Sequence, residues 1–385
     1  MDEYELREII LRGEDQEHQF KRELPTQDAL AAEIVAFLNT RGGKIFIGVD
    51  KSNNICGVTP DQAFDNRISN ACNDAVKPPC EVYTTNVQTS EGLVVVIEVP
   101  NGDNKPYQDR KNQFWKKRGT DKRRVTDRNE LQRLFQDGHT TYADEIPVRG
   151  ATFADLDRES IAEVFSKTTK DSYLADDEDR AITQLEGVRL LKKGVPTKAA
   201  ILLFAKEPAN FLSEINIKAI WFKGIDRSGH NYYDNRKLDG TLPEQYEQAI
   251  AFLRHWNPKI QEPGASFNKT SKELIPEFVF EELLVNALVH RDYFIPDSVK
   301  VYIFDDRIEI ISPGALPNSL TPFEALNGVG RKRNPLLLRY AYELMQYRGA
   351  SSGLARVLKA CPELELHNNI EAEEVTVTIP LPEEL

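Results

Sequence analysis

The stretch at residues 281–293, EELLVNALVHRDY, constrains this chain more than any other. Written on a helix, Glu282, Asn286 and His290 fall at i, i+4 and i+8 on one polar stripe. Leu283, Leu284, Ala287 and Leu288 supply the apolar side, which has to be buried. A carboxylate, a carboxamide and an imidazole then point together. The helix is expected over residues 276–290, with Glu277, Glu281 and Glu282 toward its N-terminal end, as the helix dipole favours.

The flanking pattern supplies a sheet for this helix. Upstream, from Pro196, come TKAAILLFAK as a buried segment, INIKAIWFKG as a strand and LPEQYEQAIAFLRHW as an amphipathic helix. Downstream, VKVYIFDD and RIEIISPG read as consecutive strands joined at DDR. GVGRKRNPLLLRYAYEL is a Gly-rich basic loop running into a helix, GASSGLARVLKAC repeats that pattern, and EVTVTIPL closes the chain as a strand.

The N-terminal third has its own alternation. A helix ending near Arg12-Gly13 leads to a short strand at residues 18–21. DALAAEIVAFL is then a helix stopped by Asn39-Thr40-Arg41-Gly42-Gly43, with KIFIGV after it as a buried strand. A short strand ICGV, a helix at residues 61–76 ended by Pro78-Pro79, and the strands CEVYTTNVQ and GLVVVIEVP follow. Next come QFWKKRG and the helix DRNELQRLFQDG. The fold class is α/β (α+β), with a first domain at residues 1–140, a linker and helical connection at 141–195 holding helices at 160–166 and 186–192, and a third region at 196–385. The acidic loop at residues 171–180 reads as solvated surface.

Charge is unevenly spread. The net charge is -12, yet residues 105–133 hold eleven Lys or Arg against four acids, a local +7, so the rest carries -19. Such a patch on an acidic protein is suited to phosphates. Lys116, Lys117, Arg118, Lys122, Arg123 and Arg124 are its candidate nucleic-acid contacts, with Trp115, Phe114 and Tyr107 interleaved to stack on bases or sugars. The four cysteines, Cys56, Cys72, Cys80 and Cys361, form no C-x-x-C pair and read as reduced thiols. The acidic N-terminus and the short apolar runs give no signal peptide or membrane span, so a cytoplasmic location with no membrane partner is expected.

EDQEHQFKREL, AFLNTRGGKIFIGVD and QFWKKRGTDKRRVTDRNELQRL together resemble the Schlafen AlbA_2 domain, over residues 14–135. The resemblance implies DNA or RNA as partner. It also implies a metal-dependent endoribonuclease as the alternative, since three acids form the cleaving site in Schlafen nucleases. Glu14 matches the first, Gln19 stands at the second, and the third falls at Lys51, beside Asp50.

LLVNALVHRDYF, FDDRIEIISPGALP, GRKRNPLLLRY and the final small-residue helix start resemble an ATPase-like C-terminal domain called divergent AAA or RecG-related, similar to the GHKL type of ATP-binding sandwich. That resemblance implies ATP and Mg2+, with Glu282 as general base and Asn286 as the magnesium ligand. It places the phosphates against Gly314, Gly328, Gly330, Gly349 and Gly353, with Arg331, Lys332 and Arg333 as partners. Ser312 stands where such ATPases carry an adenine-reading aspartate. His290 and Asp292 are expected to tie the helix end to Arg307 or Arg331. Proteins joining the two domains are described as predicted transcriptional regulators, and a homodimer is expected. A scaffold that binds without hydrolysing is the remaining alternative. Neither a protein-kinase motif set nor G-x-x-x-x-G-K-[ST] is present.

Overall fold

The computed structural model describes residues 1–138, 141–168, 177–227, 231–260, 272–317, 320–345 and 353–382. These fall into two compact units, Met1–Thr141 and Tyr142–Leu385.

In the first unit, α1 (Glu3–Arg12) is capped by the Asp2 carboxylate. β1 (His18–Lys21), α2 (Gln27–Leu38) and β2 (Gly43–Ile47) then form a crossover that leaves β1 and β2 parallel. Every residue of α2 from Leu30 to Leu38 is buried, including Glu33. The expected helix at 61–76 is broken: α3 (Phe64–Asn70) runs into a π-turn at Ala71–Ala75 and then β3 (Val76–Lys77). Pro78 accounts for the extended backbone at Lys77, because the residue before a proline is pushed away from the helical region. β4 (Tyr83–Gln88) and β5 (Leu93–Val99) complete a sheet of order β1-β2-β5-β4. ICGV makes one bridge, Val49 to Ile55, and no strand. β6 (Gln108–Asp109) pairs with β3, and β7 (Phe114–Arg118) with β8 (Asp121–Val125), ahead of α4 (Arg128–Asp137). β8 carries no apolar alternation that would reveal it, since DKRRV buries only Val125.

The second unit begins with α5 (Arg158–Thr168), α6 (Glu178–Gly187), β9 (Leu191–Lys192), β10 (Val195–Pro196) and α7 (Lys198–Phe204). The expected helix at 186–192 gives way to the β9–β10 hairpin, whose turn holds Lys193 and Gly194 at φ 53° and 73°. The acidic loop lies partly outside the described residues. Ala143, Phe153, Ile161, Phe165 and Leu185 enter the same apolar core as Leu284 and Leu288, so residues 142–195 pack as part of this unit.

β11 (Ile217–Phe222), β12 (Tyr232–Leu238), α8 (Leu242–Trp256), a short β13 (Lys259–Ile260) and β14 (Lys272–Glu273), and α9 (Glu277–His290) follow. The chain then runs through β15 (Val299–Ile303), β16 (Arg307–Pro313), α10 (Pro322–Leu326), α11 (Pro335–Leu344), α12 (Gly353–Ala360), β17 (Glu365–Asn369) and β18 (Glu374–Pro380). The sheet has order β12-β11-β15-β16-β18-β17, with only β11 and β15 parallel. α8 packs on α9, and α9 on β16, α11 and α12.

α9 ends inside the core, where its last carbonyls need donors. Asn334, fully buried, gives its Nδ2 to the carbonyls of Val289 and Arg291, both at 2.8 Å. It therefore does not cap α11, although it precedes that helix. Asp144 does so instead, its Oδ2 accepting from the N–H groups of Leu336 (2.7 Å) and Leu337 (3.1 Å). Burial pushes the Asp144 carboxyl up to about 7, against the pull of those donors. The folded value lies above the unfolded one, so the contribution to stability is full below the unfolded pKa of about 3.9 and is lost as pH rises through the folded one. Asp144→Asn is therefore expected to flatten the fall in stability across that window and to exceed wild type at pH 8 by up to ~4 kcal/mol in urea melts. Identical pH profiles for the two proteins would contradict this.

Candidate functional site

The basic hairpin is held by the residues that end α2. Asn39, buried, accepts the N–H of Tyr107 on Oδ1 at 2.7 Å and donates its Nδ2 to the carbonyls of Tyr107 (2.8 Å) and Trp115 (3.0 Å). Thr40 Oγ1 accepts the N–H of Lys117 at 2.9 Å. Gly43 lies so close to Phe37 that a Cβ there would fall 2.4 Å from its ring. The NTRGG run thus sets where β7 lies against α2.

The seven candidate contacts separate into two groups. Arg118, Arg123 and Arg124 are exposed, Arg123 paired with Glu130 at 2.7 Å. Lys116 is half-buried, 4.0 Å from Glu130. Lys117, by contrast, is buried, with Nζ donating to Gln19 Oε1 (2.6 Å) and the Thr120 carbonyl (2.8 Å) over the Phe37 ring. Lys122 reaches back to the buried Glu33 at 2.7 Å, and Lys21 joins it at 3.2 Å. Trp115 ties its indole N–H to Asp109 at 2.9 Å, and Tyr107 is buried. Burial pushes the Lys117 ammonium down in pKa while Glu33 and Glu14 hold it up. Burial likewise raises Glu33, but Lys122, Lys21 and Lys117 outweigh it and leave it below the usual carboxylate range. Lys21 and Glu33 were not among the candidates. Glu33, the one acid within the apolar run LAAEIVAFL, was the available signal.

The acids of the nuclease comparison are engaged locally. Glu14 Oε1 accepts from the Gln19 side chain and from the Phe20 N–H (2.7 Å). Asp50 closes its own turn with the N–H groups of Ser52 and Asn54, both at 2.9 Å, and Lys51 is exposed. Among the described residues no group of three His, Cys, Asp or Glu could hold a metal.

In the second unit, Glu282, Asn286, Gly314, Gly328, Gly330, Arg331, Arg333 and Gly353 all line one cavity of about 160 Å³. Gly349 lies outside the described residues. Apolar side chains form much of the wall, among them Leu283, Ile310, Leu316, Leu320, Val375 and Val377. Glu282 is 7% exposed; its Oε1 accepts from Asn286 Nδ2 at 3.0 Å and its Oε2 from Arg356 at 3.3 Å. Burial raises its pKa, and Asn286 and Arg356 pull it back. Arg356 was not among the candidates; it follows Gly353 by one helical turn, which is what brings it to the same carboxylate. Asn286 also gives Nδ2 to the Glu282 carbonyl at 2.7 Å, and among the described residues none donates to its Oδ1.

The loops round the cavity are fastened to α9. Arg333, buried, donates to the carbonyls of His290 (3.2 Å) and Ala315 (2.6 Å), so it replaces Arg307 and Arg331 as the residue tying this helix end. Arg307 is on β16, paired with Glu309 and Asp306. Burial and Arg333 hold the His290 ring down to about 4, so it is neutral at pH 7. Ser312 spends its hydroxyl proton on the Ala287 carbonyl at 2.9 Å. Gly314 sits at φ +99°, where a Cβ would fall 2.4 Å from that of Asp292.

Residues 14–126 match the family model "Schlafen, AlbA_2", and residues 297–379 match "Putative ATP-dependent DNA helicase recG C-terminal". The chain thus carries a Schlafen AlbA_2 domain at its N-terminal end and a RecG-related ATPase-like domain at its C-terminal end, a pairing that indicates a nucleic-acid-related function. No curated protein matches the chain. Among solved structures, the DIP2311 protein of Corynebacterium diphtheriae is 21% identical, with 95% of this chain and 75% of that one covered at TM-score 0.46. The N-terminal domain of a putative ATP-dependent DNA helicase RecG-related protein from Nitrosomonas europaea is 16% identical, covering 32% of this chain and 94% of that one at TM-score 0.25. No helix among the described residues is long and apolar enough to cross a membrane.

The α12 start meets the candidate base directly: a Cβ on Gly353 would fall 1.8 Å from Glu282 Oε1. Gly353→Ala is expected to cost ~2 kcal/mol in denaturant unfolding, and the cost should vanish in a Glu282→Ala background. Additive effects of the two substitutions would show that the contact carries no energy.

Proposed function

We propose that this chain, joining a Schlafen AlbA_2 domain to a RecG-related ATPase-like domain, is a nucleic-acid-binding regulatory protein whose grip is modulated by ATP. The observation that carries the nucleotide part is the convergence of eight residues from α9, the Ser312-Pro313-Gly314 turn, the Gly-rich loop and α12 on one cavity. The residues fit the group. Asn286 leaves its Oδ1 as an acceptor at the cavity, as a magnesium ligand requires, and Arg331 is an exposed cation on the wall. Gly328 and Gly330 expose backbone that phosphate oxygens can approach, and the apolar wall suits a base. Bound Mg2+ would neutralise phosphate charge. Glu282, buried and raised in pKa, is the general base available to take a proton from water at the cavity. With Ser312 donating to the backbone and no aspartate among the described residues that line the cavity, the adenine amino group lacks its usual carboxylate acceptor.

The nucleic-acid part rests on Arg118, Arg123 and Arg124, the exposed members of the basic run. They would position phosphates without reading sequence, in a cytoplasmic homodimer acting in transcriptional regulation.

Two measurements test the reading. With Mg2+ and ATP, wild type should gain several degrees of thermal stability and Asn286→Ala little; no shift in wild type would leave only a scaffold. Duplex binding should weaken steeply with salt, and replacing Arg118, Arg123 and Arg124 by alanine should reduce the log–log slope by about 2–3. Salt-insensitive binding would overturn the phosphate-patch assignment.

A further inference from the structure

Cys72 and Cys80 belong neither to the basic hairpin nor to the α9 cavity. Cys72 sits in the π-turn after α3 and is 4% exposed, while Cys80, half-buried, follows Pro78-Pro79. The turn folds the chain back on itself, so that the Cys80 N–H donates to the Cys72 carbonyl at 3.4 Å. A backbone N–H···O=C bond between two residues keeps their Cα atoms near the ~4.4–6.8 Å that a disulfide spans. Both thiols line a crevice of about 390 Å³, with the exposed Asp65 and Glu81 on its walls.

We propose that Cys72 and Cys80 are a peroxide-oxidisable dithiol that closes reversibly into an intramolecular disulfide. The Cys72 thiolate attacks one oxygen of a hydroperoxide, the O–O bond breaks, and water or the corresponding alcohol leaves with Cys72 as the sulfenic acid. The Cys80 sulfur then attacks the Cys72 sulfur, the S–O bond breaks, and the hydroxyl leaves as water with the Cys80 proton. Two thiols lose two electrons in all, and the peroxide takes them. Interaction between the two thiols lowers the pKa of Cys72 and raises that of Cys80, so the pair presents one thiolate and one thiol. Asp65 and Glu81 disfavour an anionic oxidant such as glutathione disulfide and leave a neutral hydroperoxide the better reagent.

The other thiols provide internal controls. Cys56 is exposed, with its thiol 3.7 Å from Asp50 Oδ2 and the Asn54 carbonyl, and Cys361 is half-buried with its pKa raised by burial. Neither has a cysteine partner. The bridge would enclose β3; β3 pairs with β6, whose Asp109 holds the Trp115 indole. Oxidation therefore acts on the segment that seats the basic hairpin.

The test is thiol mapping of the full chain by alkylation and peptide mass spectrometry after a few equivalents of hydrogen peroxide. The expected result is loss of two of the four alkylatable thiols, recovered as a Cys72–Cys80 peptide and restored by dithiothreitol, with Cys56 and Cys361 still alkylated. In Cys80→Ser, dimedone should trap the sulfenic acid at Cys72. Oxidation of Cys56 with Cys72 and Cys80 still free, or a mixed disulfide with glutathione in place of the bridge, would overturn the proposal. The wild-type map decides the matter whether or not the variant folds.

Discussion

The second unit depends on an exchange of caps around the buried end of α9. A helix that stops inside a core leaves carbonyls that cost on the order of 1–3 kcal/mol each if unmet. Asn334 meets them, and in doing so gives up the capping of α11, which Asp144 takes over from 190 residues earlier. The Gly-rich basic loop ends at Asn334, so the same bonds that satisfy α9 fix one wall of the cavity. Arg333, one residue before, fastens that wall to the His290 and Ala315 carbonyls. Architecture and candidate site are thus one set of hydrogen bonds.

The first unit divides its charge by the same economy of position. Of the run from Lys116 to Arg124, Lys117 and Lys122, paired across the hairpin, turn inward and meet Gln19 and Glu33. Burying an ammonium is tolerable only where acceptors and counter-charges surround it, and α2 supplies Glu33 for that purpose. The arginines stay outside. This sorting agrees with the chemistry of the two side chains: the guanidinium is suited to exposed bidentate contacts with phosphate, and the ammonium makes a compact point charge that a carboxylate can neutralise.

Much of this was legible from residue order. The apolar runs of α2, β5, α9 and β16 announce themselves because each is buried over most of its length. Of the ten residues assigned to nucleotide binding, eight line one cavity; Lys332 is not on its wall, and Gly349 lies outside the described residues. What escaped reading has physical reasons. β12 and β17 are edge strands, YYDNRKL and ELHNN, exposed enough that no period-2 pattern survives. The helix expected at 61–76 runs only from Phe64 to Asn70 before a π-turn at Ala71–Ala75 interrupts it, and no breaker residue in that stretch announces the change. Lys117 was expected at the surface because a charge run normally is solvated, and only the register of the hairpin against α2 reveals which members turn inward. Asp144 and Arg356 were invisible for a simpler reason: their roles are made by partners far away in sequence.

The chemistry of the α9 cavity is asymmetric, and that asymmetry bears on what the site can select. The groups that would meet phosphate are Asn286, the glycines of two loops and Arg331, with Glu282 held between Asn286 and Arg356. Much of the remaining wall is aliphatic, and Ser312, where such ATPases carry an adenine-reading aspartate, gives its proton to the Ala287 carbonyl. A hydroxyl so engaged keeps a lone pair and can accept, but it offers no charge and a shorter reach than a carboxylate. Discrimination by hydrogen bonding is large only when the wrong ligand leaves a buried polar group unmet. Here a base lacking the adenine amino group would leave nothing charged unpaired, so the proposed site should hold nucleotides by their phosphates first and distinguish their bases weakly.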